Sequence, residues 1–127
     1  MGAGLAFSQP STAVTANGAS PVLDSSLWRA ARIDLNVSAF TGGTAPTVTF
    51  SLVNIGQDGI AYPIWTSAAI AAAASVSVDL ADSLAATYVA GTTTMQHAVF
   101  GMKTQLQWSF AGAPTSITFS ANLYGRQ

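Results

Sequence analysis

The sequence predicts an all-β domain: a β-sandwich or jelly-roll-like fold of about seven or eight antiparallel strands, with an extended N-terminal arm. Three observations carry this expectation. From Trp28 onward apolar and polar residues alternate with period two, as strands with one buried face require. The alternating stretches are short and punctuated by Gly, Pro, Asn and Ser. At 127 residues the chain has room for one core.

Residues 1–26 are read as the arm and 27–127 as the sandwich domain. The arm carries a single charge, Asp24, and is built from Ala, Gly, Ser, Thr and Pro with a few apolar side chains. Fully extended, its 26 residues would span roughly 85 Å, enough to cross a neighbouring subunit. Leu5, Phe7, Pro10 and Val14 are therefore its candidate contact residues. The segment lacks the basic start and continuous apolar stretch of a secretory signal. Ala6 stands where a myristoylation pattern needs Ser or Thr.

In "RIDLNVSA" Ile33, Leu35, Val37 and Ala39 share one face, and Arg32, Asp34, Asn36 and Ser38 the other. "FTGGTAP" supplies a turn, and the chain returns through "TVTFSLVNI" with Val48, Phe50 and Leu52 inward, so an antiparallel hairpin is expected. After a reversal at Gln57–Asp58–Gly59, "IAYPIW" places Ile60, Tyr62 and Ile64 on one face. Pro63 cannot donate to a ladder, which demands an edge strand or a bulge there. "SAAIAAAAS" reads as a loop or brief helix, too short to span a bilayer. "SVSVDL" alternates through Val76, Val78 and Leu80; "ADSLAATYVAGTTT" is expected to hold one helical turn and a loop, and "MQHAVFG" a short strand. The last two strands are "TQLQWSF", with Leu106, Trp108 and Phe110 inward, and "SITFSANLY", with Ile117, Phe119, Ala121 and Leu123 inward.

One phrase occurs twice. "TAPTVTFSL" and "GAPTSITFSAN" each lead an Ala-Pro-Thr turn into a strand with an inward phenylalanine, and each follows an alternating strand. Two similar hairpins at corresponding edges are expected from this pattern.

Composition narrows the function. Only 7% of residues are charged, against about 25% in an ordinary soluble domain. Interface centres are depleted of charge, so much of this surface is expected to be covered in the working state. The four basic residues, Arg29, Arg32, Lys103 and Arg126, are scattered and the net charge is −1, which argues against a nucleic-acid partner. No basic amphipathic helix offers itself to a membrane. Cysteine is absent, which excludes disulfides, thiolate zinc sites and thiol catalysis. His97 is the lone histidine and no serine stands in a Gly-x-Ser-x-Gly elbow, so no enzyme is expected. Asp79, Asp82 and His97 are too few for a calcium site, and neither a metal nor a cofactor is expected. Strand parity sets Trp65 opposite Ile60, Tyr62 and Ile64, and puts Tyr124 among Thr118, Ser120 and Asn122. These two are the candidate exposed aromatics, for an oligomer interface or a sugar platform.

"DLNVSAFTGGTAPTVTFSLVNIGQDGIAYPIW" followed by "TQLQWSFAGAPTSITFSANLYGR" resembles the small β-sandwich capsid decoration, or cement, proteins of tailed bacteriophages. The resemblance spans roughly Arg29 to Arg126 and is one of strand and turn style, with no catalytic signature. It implies a jelly-roll-like homotrimer on the outer surface of a virion head, bound to the major capsid protein and fastening capsomers, with Leu5, Phe7, Pro10 and Val14 as arm contacts and Trp65 and Tyr124 as interface aromatics. Two alternatives stay open: a carbohydrate-binding module on a virion or cell surface, and a tail or connector component.

Overall fold

The computed structural model describes residues 4–81, 87–90, 93–97 and 100–126, with backbone alone between 82 and 99. The described chain is all-β. In order, the strands are β1 (Gly4–Val14), β2 (Gly18–Ala19), β3 (Leu23–Asp24), β4 (Ala30–Thr41), β5 (Thr47–Ile55), β6 (Ala61–Thr66), β7 (Ala74–Ala81), β8 (Thr87–Ala90), β9 (Thr93–His97), β10 (Lys103–Ala111) and β11 (Ser116–Arg126). They form two sheets. The first runs β1-β11-β4-β7-β9-β8; the second runs β2-β10-β5-β6, with β3 also paired to β10. Every pair is antiparallel except β7–β9.

The inward faces of both sheets meet in one core. Ile33, Leu35 and Val37 of β4, Val78 and Leu80 of β7, and Ile117, Phe119 and Leu123 of β11 come from the first sheet. Val48, Phe50 and Leu52 of β5, Trp65 of β6, and Leu106 and Trp108 of β10 come from the second. Phe119 sits edge-on against Phe50 at 5.0 Å and against Trp108 at 5.4 Å, so one ring ties three strands and both sheets together. Each such side chain contributes about 1.5–3 kcal/mol through removal from water.

The repeated phrase proves to be a pair of corners between sheets. β4 and β5 lie in different sheets, as do β10 and β11, so neither phrase closes the expected hairpin. Instead β4 pairs with β11 and β5 with β10, which sets the corners side by side in a locally twofold arrangement. Thr44 N–H donates to Gly112 O at 2.9 Å, and Thr115 N–H donates to Thr41 O at 2.8 Å. Ala45 and Ala113, which precede the two prolines, both adopt positive φ, at 46° and 50°. That backbone is strained by about 1–2 kcal/mol for a residue with a Cβ. The same strain at both corners reflects a shared geometry imposed by the Gly/Ala-Pro turn.

Three further expectations are corrected. Residues 4–14 are no free arm: they form the edge strand β1, hydrogen-bonded along β11, while β2 and β3 dock on β10. Ala6, Phe7 and Val14 pack against the core, so deleting this segment would strip a sheet edge as well as any docking contact. In β6 the alternation is broken. Trp65 pairs with Leu52 and Pro63 with Val53, leaving Ile64 as an extra residue. This bulge turns Trp65 into the core, where it is 6% exposed, while Ile60 and Tyr62, at the start of the strand, are exposed at 56% and 49%. Pro63 thus lies on an edge strand beside a bulge, the settings its missing N–H allows. In β4 a second bulge at Ser38 turns Ala39 outward and lets Phe40 pack against the core. Residues 67–73 form a loop, one of the two expected forms, and Ile70 there makes a two-way backbone bridge to Val48. Of the stretch 81–94, residues 82–86 and 91–92 lie outside the described residues, so the expected helical turn is not addressed beyond β8 and the start of β9.

Candidate functional site at one end of the sheets

The two ends of the paired sheets differ in chemistry. At the corner end, Thr41 to Pro46 and Ala111 to Thr115 present small uncharged side chains. At the opposite end β4, β7 and β11 meet at Ala30, Ala81 and Arg126, and the second sheet contributes Asp24, Asn54–Ile55 and Lys103. Every charged side chain the structure describes lies in this second half: Asp24, Arg29, Asp58, Lys103 and Arg126 at the end itself, with Arg32, Asp34 and Asp79 just behind. The exposed large apolar residues gather there too. Leu5 lies opposite Tyr124, Val22 precedes the β3–β10 pairing, Leu27 projects from the β3–β4 connection, Met102 precedes β10, and Ile60 and Tyr62 flank the start of β6.

A scaffold beneath fixes this end. Ser25, fully buried, donates its backbone N–H to Met102 O at 3.0 Å and its hydroxyl to Gly101 O at 2.7 Å. Gly101 N–H in turn donates to Asn54 Oδ1 at 2.7 Å. Trp28 packs edge-on to Phe100 at 5.9 Å and closes the core below Leu27. Val22, Leu23, Asp24, Ser26, Met102 and Lys103 line a groove of about 420 Å³ on this scaffold.

Each described carboxylate here already holds donors. Asp24 Oδ1 accepts from Ser26 N–H at 3.0 Å and Ser26 Oγ–H at 2.8 Å, which together with Lys103 hold its carboxyl below the usual range. Asp34 and Asp79 both bind Arg32, at 3.1 Å each. Asp58 accepts Tyr62 O–H at 2.6 Å and Ile60 N–H at 3.0 Å, which lower its carboxyl and raise the phenol above its ordinary value. Arg29, Lys103 and Arg126 form no ion pair with a described carboxylate. Among the described residues, the charged side chains at this end that lack an ion pair are therefore positive.

The Asp58–Tyr62 bond has a pH signature. A raised phenol contributes stability that is complete below its unfolded value near 10 and is lost as pH rises through the higher folded value. A lowered carboxyl contributes above its unfolded value and loses that contribution as pH falls through the lower folded one. Replacing Asp58→Asn should move one tyrosine of the ultraviolet titration to lower pH. An unchanged titration would show that the bond does not persist in solution.

The sequence-derived candidates are dispersed. Leu5 is exposed and shares a rung with half-buried Tyr124, so these two come together at the apolar end. Phe7 and Val14 are half-buried along β1, and exposed Pro10 lies between them. Trp65 is a core residue, which removes it as a sugar platform or interface aromatic. Asp79 is bound to Arg32, while Asp82 and the side chain of His97 fall outside the described residues. Val22, Leu27, Ile60, Tyr62 and Met102 were missed. Leu27 and Met102 stand in connections where alternation assigns no face, and Ile60 and Tyr62 stand at the start of β6, where an apolar face does not ensure burial.

Comparison with known proteins finds no matching family model, no matching curated protein and no matching solved structure.

Proposed function

We propose that the chain is a virion structural protein: a capsid decoration protein with a jelly-roll fold that binds the outer surface of a head shell as a homotrimer and stabilises contacts between capsomers. The observation that carries this reading is the strand order. The chain changes sheet at almost every step, from β1 to β2/β3, β4, β5/β6, β7, β10 and β11. The resulting neighbours, β1-β11-β4-β7 facing β2/β3-β10-β5-β6, support the reading as an eight-stranded jelly roll, an architecture common in viral capsids, with β8 and β9 as additions to the first sheet. The sparse charge and the gathering of exposed apolar side chains at one end support a surface that is covered in use. Contacts made only with the assembled lattice would stabilise that lattice by mass action. Light scattering after size-exclusion chromatography should give about three times the 12.9 kDa chain mass. A monomer that persists at high concentration would remove the trimer, and density on the tail instead of the head would make the chain a connector component.

A second reading has one observation in its favour. Asn17, Thr49, Ser51, Gln107 and Ser109 line a groove of about 400 Å³ across the second sheet, and their neutral amides and hydroxyls suit a neutral saccharide. Glycan-array binding that Gln107→Ala abolishes would favour that role.

A further inference from the structure

We propose that the end of the sheets centred on Val22, Leu27 and Met102, and flanked by Arg29 and Arg126, is the docking face for a protein surface of apolar side chains edged by free carboxylates. Under the proposed function, on which the identity of the partner rests, that surface is the outside of the shell protein.

The chemistry of the occupant follows from what this end leaves unsatisfied. Leu27 and Met102, each 67% exposed, are the most exposed large apolar side chains among the described residues, and Val22 beside them is 49% exposed. Met102 and Val22 also line the groove of about 420 Å³, a concave seat for an apolar side chain. The seat is held rigid from below by the Ser25, Gly101 and Asn54 bonds, so little ordering is needed when it is filled. Arg29 and Arg126 are neighbours, joined by Arg29 N–H donating to Arg126 O at 2.8 Å, and both side chains are exposed. Neither guanidinium group is paired with a described carboxylate, so both are open to an anion on a partner. Carboxylates are the anions a protein surface offers, and Arg pairs with them bidentately.

A second copy of this chain fits poorly. Two copies meeting symmetrically through this end would bring Arg29 and Arg126 towards their own counterparts, like charges that repel. The corner end, uncharged and without exposed large apolar residues, lacks both features of a seat for such a partner.

The test adds the full-length chain to purified head shells of the virion it is proposed to decorate, stripped of it, and reads occupancy by sedimentation at several salt concentrations. Two double variants are compared with the wild type: Leu27→Ser with Met102→Ser, and Arg29→Ala with Arg126→Ala. All four side chains are exposed, so circular dichroism and melting should be unchanged. The first variant should lose binding by about tenfold or more. The second should lose about tenfold and show a weaker salt dependence than the wild type. Equal binding by the wild type and both variants overturns this docking face and leaves the decoration reading intact. A wild type that occupies no shell overturns both. If Leu27→Ser with Met102→Ser instead dissolves the oligomer seen by light scattering, the end is a contact between copies and the proposal fails.

Discussion

Replacing Gly112 by alanine should lower the melting temperature by roughly 10 °C, from a destabilisation of about 2–5 kcal/mol. Two effects add. Gly112 has φ of 80°, where a side chain costs about 1–2 kcal/mol. A Cβ there would also stand 2.5 Å from Thr44 O and 2.9 Å from Ala45 O, both backbone atoms of the opposite corner that cannot swing away. The Thr44 N–H to Gly112 O bond fixes that spacing, so relief would open the junction between sheets. Gly59 provides the control. Its φ of 79° is nearly the same, yet nothing lies within 4 Å of its would-be Cβ. Gly59→Ala should therefore show the backbone penalty alone, about 1 kcal/mol. Equal melting shifts for the two variants would mean that the corners do not meet as closely as described.

The corners also mark what alternation reveals and what it conceals. Period two shows that a strand has one buried face, and the inward residues of β5, β10 and β11 follow it without exception from Val48 to Leu52, Thr104 to Trp108 and Ile117 to Leu123. It does not show whether consecutive strands pair edge to edge or face each other across the core, because both arrangements bury the same positions. "TGGTAP" and "AGAP" hold turn residues suitable for either outcome, which is why a hairpin was expected where the chain changes sheet. A bulge is equally silent: one extra residue at Ile64 brought Trp65 onto the core face, and one at Ser38 reversed the faces of Ala39 and Phe40. The N-terminal segment misled for a related reason. Its polar, small residues alternate weakly because β1 is an edge strand with two register shifts and one largely exposed face. The apolar end was only partly legible. Leu5 and Tyr124 could be named, but Leu27 and Met102 lie in connections whose direction is set by the buried bonds of Ser25 and Gly101, bonds no local pattern announces.

Phe119→Ala should destabilise the chain by about 3–5 kcal/mol, the range expected when a buried phenylalanine leaves an unfilled cavity. Phe119 is fully buried and touches rings on β5 and β10, so a collapse that fills the space from one sheet would pull it away from the other. Phe50→Ala should cost a comparable amount, since it too is fully buried. The informative quantity is their interaction. In denaturant unfolding, the double variant should lose less than the sum of the singles by about 0.5–3 kcal/mol, because each truncation already forfeits the edge-to-face contact at 5.0 Å and the two cavities merge. Additivity within about 0.5 kcal/mol would place the rings apart. The pair is well chosen for this question: Phe50 and Phe119 close the two copies of one repeated phrase, yet they belong to opposite sheets. Their coupling therefore measures the contact between layers that the paired corners impose, and a neighbouring pair within one sheet could not report it.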